Sequence, residues 1–539
     1  MPHFKAPPTL LESSRLAFSK LLFGKENPEL TEYLEMLPSK LLAQITTCCQ
    51  GYYVEKLKNY MKENKGLDPS LPILHGLMDN DQPYGTAYIV PSLESLYLPL
   101  ITKTVTRLDF SNLIHLGTLG PRVFDYFNKI LDRILVQVPN LQSLIVKSPN
   151  SRTSLPSFAT NHLRILGQHC PLLKFLDISF HNGLKNEDLG HLIPYEDRDG
   201  CPDLEILYVF DCSFSDKMIK QLVVNLKNLK ELGYKEMGKV CKRLYKDGFE
   251  EVLNFTHINN MGAKIRKTSV PSLRCKPNMI QAINVLCPNV TNIRLRVQDS
   301  DVEHLSSFKH LRSVELLFNC GKALTPALGT CQFIQDRGSN LTSIAITCAT
   351  ISMTHINVIA KNCPNLVSLW LRSNFFQISK GCQKTLPEDM PANHGYLKRL
   401  EVLYFRVGEG ELSLSFVPEY VFHYILKNAK GLKELIIALR SNTITDQYIC
   451  GLLKQNKLNQ LQKIMIVVPG LNNLPRVLNL GMESVNFMLD FCQNLRILGN
   501  LMSWKILGTE NDQLFTDFKN ELELRNVDIN IICRIMTMH

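Results

Sequence analysis

The stretch Cys363–Leu371 reads Cys-Pro-Asn-Leu-Val-Ser-Leu-Trp-Leu, and it is one copy of a phrase that recurs along the chain. Clear copies begin at Cys170, Cys201 and Cys287, each with a Pro next and spaced apolar residues after it. Weaker copies begin at Leu141, Leu229, Leu311, Leu341, Leu400, Leu432, Leu461 and Leu495. Most copies lie between 21 and 36 residues apart, and the gap of 61 residues from 229 to 290 leaves room for one degenerate repeat, whose strand is expected within Glu250–Phe255. A phrase that returns at such intervals predicts a solenoid, in which each unit packs on its neighbours.

Each unit is expected to contain a strand, a loop and a helix. The spaced leucines of the phrase alternate with other residues, which predicts a short strand with its leucines in the core. Amphipathic stretches such as 216–224 and 353–362 predict helices between strands, and the Pro after each Cys prevents a helix from continuing. The predicted fold class is therefore α/β: a leucine-rich-repeat solenoid curved into a horseshoe, with strands on the concave wall and helices outside.

The Cys-x-x-Leu spacing and the helix-bearing units resemble the cysteine-containing, ribonuclease-inhibitor-like subclass of leucine-rich repeats. The resemblance covers roughly residues 90–510. It implies a curved array that binds other proteins, although this subclass serves many different partners. We divide the chain into a helical N-terminal region (1–85), the solenoid (86–510) and a C-terminal cap (511–539) that covers the last unit.

Composition and charge exclude several classes of protein. Apolar residues make up 45% of the 539 residues and charged residues 20%, which is typical of a globular protein. The net charge of +10 is mild at this length and no long Lys/Arg block occurs, so we expect no nucleic-acid partner. No apolar run approaches the ~18 residues of a membrane span, and no basic-then-apolar leader opens the sequence. We expect no membrane contact and a cytoplasmic or nuclear location.

The motifs give no indication of catalysis, of a metal or of a cofactor. The 16 cysteines include no C-x-x-C pair, and many precede Pro in the repeat, which favours buried, reduced thiols. No phosphate-binding loop, no H-E-x-x-H and no G-x-S-x-G occurs. Asp299 and Asp301 follow a predicted strand and are interpreted as loop caps or partner contacts. The sequence predicts a protein that is not an enzyme.

Residues between the strand leucines are expected to face the concave side. The candidate partner-binding residues at these positions are Tyr208, Phe210, Arg294, Arg296, Trp370, Arg372, Tyr404 and Arg406. Trp, Tyr and Arg dominate protein interfaces, and the arginines favour an acidic group or a C-terminal carboxylate on the partner. A register slip of one residue would instead bury Trp370.

The N-terminal region contains a short pattern that fits two adaptor-binding boxes. Leu37 to Ile45 resembles the opening of an F-box, which docks on a Skp adaptor. Together with residues 9–18, it is also similar to a von Hippel-Lindau-type elongin and cullin box, with Ser14 where that box has Cys. The resemblance implies as adaptor-binding residues Leu10, Ser14, Leu37, Pro38, Leu41 and Ile45. An ordinary helical cap over the first repeat is the third interpretation.

These observations predict a non-enzymatic protein-recognition module. One hypothesis makes it the substrate receptor of a cullin-RING ubiquitin ligase, with the substrate on the concave face and an elongin or Skp adaptor on the N-terminal region. The alternative is a leucine-rich-repeat scaffold or inhibitor with no link to ubiquitination.

Overall fold

The computed structural model describes a series of ranges within the chain. These are 101, 103–111, 121–147, 160–181, 183–195, 200–259, 276–318, 328–377, 396–408, 417–439, 444–467, 478–499, 501, 504, 513, 516–517, 520, 522 and 530–532. The chain divides into two compact units, residues 8–263 and residues 264–539 together with 1–7. We call them the first and the second unit.

The first unit is a parallel sheet with helices between its strands. Its described strands are β1 (Arg107–Asp109), β2 (Ser143–Ile145), β3 (Phe175–Asp177), β4 (Ile206–Tyr208), β5 (Glu231–Gly233) and β6 (His257–Asn259). Each strand pairs in parallel with the next one along the chain. Its described helices are α1 (Pro121–Gln137), α2 (Thr160–His169), α3 (Asn186–Gly190), α4 (Asp216–Asn225) and α5 (Met237–Lys246).

The second unit repeats this plan with longer strands. Its described strands are β7 (Asn292–Val297), β8 (Ser313–Phe318), β9 (Ser343–Ser352), β10 (Ser368–Gln377), β11 (Val402–Val407), β12 (Glu434–Leu439), β13 (Lys463–Val467), β14 (Ile497–Gly499) and β15 (Asn530–Ile532). Consecutive strands again pair in parallel. Its described helices are α6 (Pro277–Leu286), α7 (Asp299–Val302), α8 (Leu328–Arg337), α9 (Met353–Asn362), α10 (Glu419–Leu426), α11 (Asp446–Asn456) and α12 (Met482–Phe491), and short 3₁₀ helices cover Glu303–Ser307 and Gly338–Asn340.

The α/β leucine-rich-repeat solenoid predicted from the sequence is confirmed. In β10, Leu369 and Leu371 are buried, whereas Ser368, Trp370 and Arg372 between and beside them retain solvent exposure. This alternation follows from the two-residue period of a strand, which sends neighbouring side chains to opposite faces of the sheet. Among the described residues, no helix is long and apolar enough to cross a membrane.

The cysteines of the recurring phrase are buried thiols, as predicted. Cys170 follows α2. Its Sγ lies 3.6 Å from the carbonyl oxygens of Leu135 and Val138 in the preceding repeat. The thiol therefore donates to carbonyl groups at and just beyond the C-terminal end of α1, where the last helix carbonyls lack a partner within the helix. Burial raises the pKa of Cys170 and of Cys363 to about 12, so both thiols stay protonated near neutral pH.

The Asn of the phrase also has a structural role, which the sequence analysis did not identify. The side-chain amides of Asn140, Asn254 and Asn365 each donate to a backbone carbonyl of the preceding repeat, and the distance from nitrogen to oxygen is 2.8 Å in all three. These hydrogen bonds join neighbouring turns on the side where the strands begin. The recurrence of Asn directly before the first apolar residue of the phrase was the available signal.

One strand lies away from its expected place. The degenerate repeat between residues 229 and 290 was expected to hold its strand within Glu250–Phe255, but β6 begins at His257. Phe255 is buried and occupies the first apolar position of that repeat. The strand begins two residues later, just as β10 begins two residues after Leu366. Strand β15 lies within the segment 511–539 and pairs with β14.

Buried His181 makes the stability of the first unit sensitive to acid. Its Nε2 lies 2.6 Å from the carbonyl oxygen of Val146, and burial lowers its pKa from 6.5 to about 4. Below pH 6.5 the unfolded chain binds a proton that the folded chain does not bind. The free energy of unfolding should therefore fall by about 2 kcal/mol between pH 7 and pH 5 in urea titrations. His181→Gln should reduce this dependence; an unchanged dependence would contradict the assignment.

Candidate functional site

The outward positions of β9, β10 and β11 form a continuous surface in the second unit. We call the sheet face that carries such positions the open face; it is the face that the sequence predicts to be concave. The strand register places Trp370 between Ala345 of β9 and Tyr404 of β11. One position further along, Arg372 lies between Thr347 and Arg406. An aromatic pair and an arginine pair therefore lie side by side on β10 and β11.

Trp370 is the exposed centre of this surface. Its indole stacks on the Tyr404 ring, with centroids 4.7 Å apart and planes 15° apart. The indole Nε1 donates to Ser368 Oγ at 2.9 Å. The residue nevertheless remains 42% exposed. The stack and the hydrogen bond hold a large apolar ring in one orientation while its outer face stays accessible, which lowers the conformational entropy lost on binding.

Tyr404 is buried, which differs from the expectation that it faces solvent. It is 8% exposed and forms an apolar cluster with Ile436 of β12 and Met465 of β13. These residues occupy the same row of the open face, because Tyr404 pairs with Ile436 and Ile436 with Met465. With Trp370 against its other side, Tyr404 supports the indole and presents little surface of its own.

The arginine pair lies on neighbouring strands. Arg372 and Arg406 are direct partners in the β10–β11 register, and both are half-buried. Like charges that lie directly opposite on paired strands repel each other. None of the described outward positions of β9, β10 and β11 carries a carboxylate. The charged residues among the described outward positions of these three strands are therefore all basic.

The two arginines of β7 are not equivalent. Arg294 pairs in register with Glu315 of β8, and its Nε lies 2.9 Å from the Glu315 carboxylate. Arg296 lies opposite Leu317 and is only 8% exposed, although the sequence predicts it on the solvent side. Both arginines lie on the same face as Trp370. An ion pair holds Arg294, and burial limits the accessible surface of Arg296.

In the first unit, Tyr208 and Phe210 lie together around β4. Both are half-buried, and their ring centroids are 5.7 Å apart. Phe175 of β3 meets the Tyr208 ring edge to face at 5.6 Å. The Tyr208 hydroxyl donates to Glu231 at 2.7 Å. Tyr208 and Phe210 were predicted from the sequence. Phe175 and Glu231 were not, although their outward strand positions were the available signal.

The predicted adaptor-binding residues lie outside the described residues. This holds for Leu10, Ser14, Leu37, Pro38, Leu41 and Ile45.

The described residues form no constellation typical of metal binding. Within the described ranges, no group of three His, Cys, Asp or Glu side chains is placed to hold a metal ion. Asp299 is a cap: its carboxylate accepts from the backbone N–H groups of Gly329 and Thr330, at 2.9 and 3.0 Å, near the start of α8. Asp301 accepts from the backbone N–H of Gln298 at 3.0 Å. Both aspartates therefore stabilise loops and helix starts.

Comparisons with known proteins add little to these observations. No family model matches the chain, and no curated protein matches it. A leucine-rich-repeat protein of Leptospira interrogans is similar in structure at 14% identity with a TM-score of 0.30, covering 84% of this chain and 94% of that one. The complex of Rad7 and Elc1 in yeast gives 15% identity, a TM-score of 0.42, and coverage of 87% and 93%. At such TM-scores neither likeness supports a conclusion about this chain.

Proposed function

We propose that this chain is a protein-recognition module that binds its partner on the open face around Trp370. The observation that carries the proposal is the exposed indole, which is held in place by Tyr404 and Ser368. Rigid, partly exposed tryptophans at the centre of a surface are the commonest energetic centres of protein interfaces. The partner would place an apolar side chain against the outer face of this ring.

The arginine pair defines the charge of the partner. Arg372 and Arg406 lie one row away from Trp370 and add positive charge beside the apolar centre. A guanidinium group binds a carboxylate through two parallel hydrogen bonds, which makes arginine well suited to acidic side chains and to a C-terminal carboxylate. The partner segment would therefore carry an apolar residue next to an acidic group.

Site-specific photocrosslinking tests this proposal. Trp370→p-benzoylphenylalanine in the full chain should crosslink one protein, identified by mass spectrometry, when cells that express it are irradiated. The matched control replaces Val285, a 49% exposed residue of α6. Crosslinks of equal yield to the same proteins from both positions would mean that the Trp370 surface has no special role. The captured segment should contain an acidic residue near the crosslink.

The pattern in residues 9–45 supports a more specific role as substrate receptor of a cullin-RING ubiquitin ligase. In this role a helical pair would lay an apolar stripe into a groove of an elongin or Skp adaptor, while the Trp370 surface holds the substrate. A scaffold or inhibitor without any link to ubiquitination would use the same Trp370 surface and no adaptor.

Co-purification separates these two roles. The full chain should bring down an elongin or a Skp protein together with a cullin, and Leu41→Asp should lose them, because a charge in the apolar stripe opposes docking in an apolar groove. The same variant should keep its crosslink at position 370. If no elongin, Skp or cullin accompanies the unmodified chain, the ligase role is wrong and the scaffold or inhibitor remains.

A further inference from the structure

Three aromatic rings on the open face of the first unit form a second surface, separate from Trp370. We call Phe175, Tyr208 and Phe210 the aromatic shelf. All three are half-buried, so each ring keeps an accessible part. The Phe175 and Tyr208 rings meet at 85°, whereas those of Tyr208 and Phe210 are inclined by only 31°. The last two rings therefore present their faces in nearly the same direction.

The absence of a side chain at Gly233 allows this arrangement. Gly233 is the register partner of Tyr208 on the next strand, β5. A Cβ built at Gly233 would lie 2.6 Å from the Phe210 ring and 2.7 Å from the Tyr208 ring. Real Cβ atoms do not approach other atoms so closely, which means that both rings lean over β5 and occupy the space that a side chain would fill.

Carboxylates lie on two sides of the Tyr208 ring. Glu231 of β5 accepts a hydrogen bond from the Tyr208 hydroxyl, and its other oxygen lies 3.7 Å from Nδ1 of His257. Asp177 is the register partner of Tyr208 on β3 and is only 8% exposed. Asp177 accepts from the backbone N–H of Ser179 at 3.0 Å. Desolvation raises the pKa of Asp177, which is the cost of holding a carboxylate in this environment.

A nearby lysine, Lys147, attracts the Asp177 carboxylate. Lys147 follows β2, and its ammonium group is 5.5 Å from the centroid of the Phe180 ring. The described outward positions of β3, β4 and β5 carry two carboxylates and no cation. This surface therefore has the opposite charge to the Arg372 and Arg406 pair.

We propose that the aromatic shelf binds an arginine side chain of a protein partner. The planar guanidinium would lie on the Tyr208 and Phe210 faces, where the negative charge of the ring faces attracts a cation. Its N–H groups point outward in the plane and would donate to Glu231 and Asp177 at the edges of the shelf. A lysine ammonium would gain the attraction to the rings but cannot stack and donate sideways at once.

Bead-displayed peptide pools test this inference directly. Capped ten-residue peptides with randomised flanks would carry Arg, Lys or citrulline at the centre, and binding of the fluorescently labelled full chain would be measured for each pool. Citrulline has the shape of arginine without its charge. The Arg pool should bind the chain roughly fivefold better than the citrulline pool, with the Lys pool between them.

Three variants assign the effect to the shelf. Phe210→Ala removes a ring, Glu231→Gln removes a charge but keeps an acceptor for Tyr208, and Gly233→Ala forces both rings away. Each should bring the ratio of Arg to citrulline close to one. Tyr195→Ala should leave the ratio unchanged, since this ring is 74% exposed and is not part of the shelf. Thermal melts of all variants would identify any that fail to fold, and Glu231→Gln is the mildest change.

Several results would overturn the inference. A ratio near one in the unmodified chain would mean that the surface does not select arginine. A ratio that survives in folded Phe210→Ala or Glu231→Gln would locate the selectivity elsewhere. Equal binding of the Arg and Lys pools would exclude guanidinium stacking. Because Trp370 is not part of the shelf, failure here would leave the proposed function standing, and the reverse is also true.

Discussion

Trp370→Ala is expected to weaken binding of the partner captured at position 370 by about 30-fold or more. The indole keeps 42% of its surface accessible, and its orientation is already set by the Tyr404 ring and by Ser368. Truncation of such a central aromatic typically costs at least about 2 kcal/mol of binding free energy. Isothermal titration calorimetry with the captured partner segment would measure the loss.

The same substitution should change folding stability little. Loss of a partly exposed ring and of one stacking contact costs only about 1 kcal/mol. The matched control is Phe375→Ala on the same strand, because Phe375 is 46% exposed but lies outside the Trp370 and Tyr404 stack. Binding by Trp370→Ala within twofold of the unmodified chain would show that the indole is not part of the interface.

Phe405→Ala is expected to have the opposite effect, a loss of about 3–5 kcal/mol in the free energy of unfolding. Phe405 follows Tyr404 directly on β11, but its side chain lies on the other face and is fully buried. Its ring packs edge to face against Phe422 of α10, with centroids 5.0 Å apart. The substitution removes this contact and leaves a cavity that the close-packed side chains around it fill only in part.

Urea titration and amide hydrogen exchange would measure this loss. Since each repeat packs on its neighbours, protection should fall first in β10, β11 and β12. Phe405→Leu, which keeps most of the apolar volume, should lose clearly less stability than Phe405→Ala. A change below about 1 kcal/mol for Phe405→Ala would mean that residue 405 is not core and that the strand register is wrong.

Much of the fold could be predicted from the sequence because the repeat supplies the same information many times. Helix α9 begins at Met353 and ends at Asn362, as its amphipathic pattern predicts. The Cys and Pro of the phrase mark helix ends, since a buried thiol can donate to the last carbonyls and Pro cannot continue a helix. The degenerate repeat that contains β6 was harder to predict because Phe255 replaces leucine at its first apolar position.

The candidate sites were less predictable, because exposure depends on the neighbouring strands. Trp370 and Tyr404 occupy equivalent outward positions, yet the first is well exposed and the second is buried beside Ile436. Arg294 and Arg296 stand two residues apart on one strand, and Glu315 pairs with only the first of them. These differences come from residues on other repeats, which a single strand pattern does not contain.

The repeat, the core leucines and cysteines, and the outward strand positions all follow from the sequence, because strand alternation is a local property with a period of two residues. Which outward residues form a surface depends on the tertiary structure. Cross-strand register brought Trp370 onto Tyr404 and set Arg372 opposite Arg406. Register also placed Gly233 beside Tyr208 and so let the aromatic rings lean over β5. Contacts of this kind join residues that are far apart in sequence, and they exist only once the parallel strands have paired.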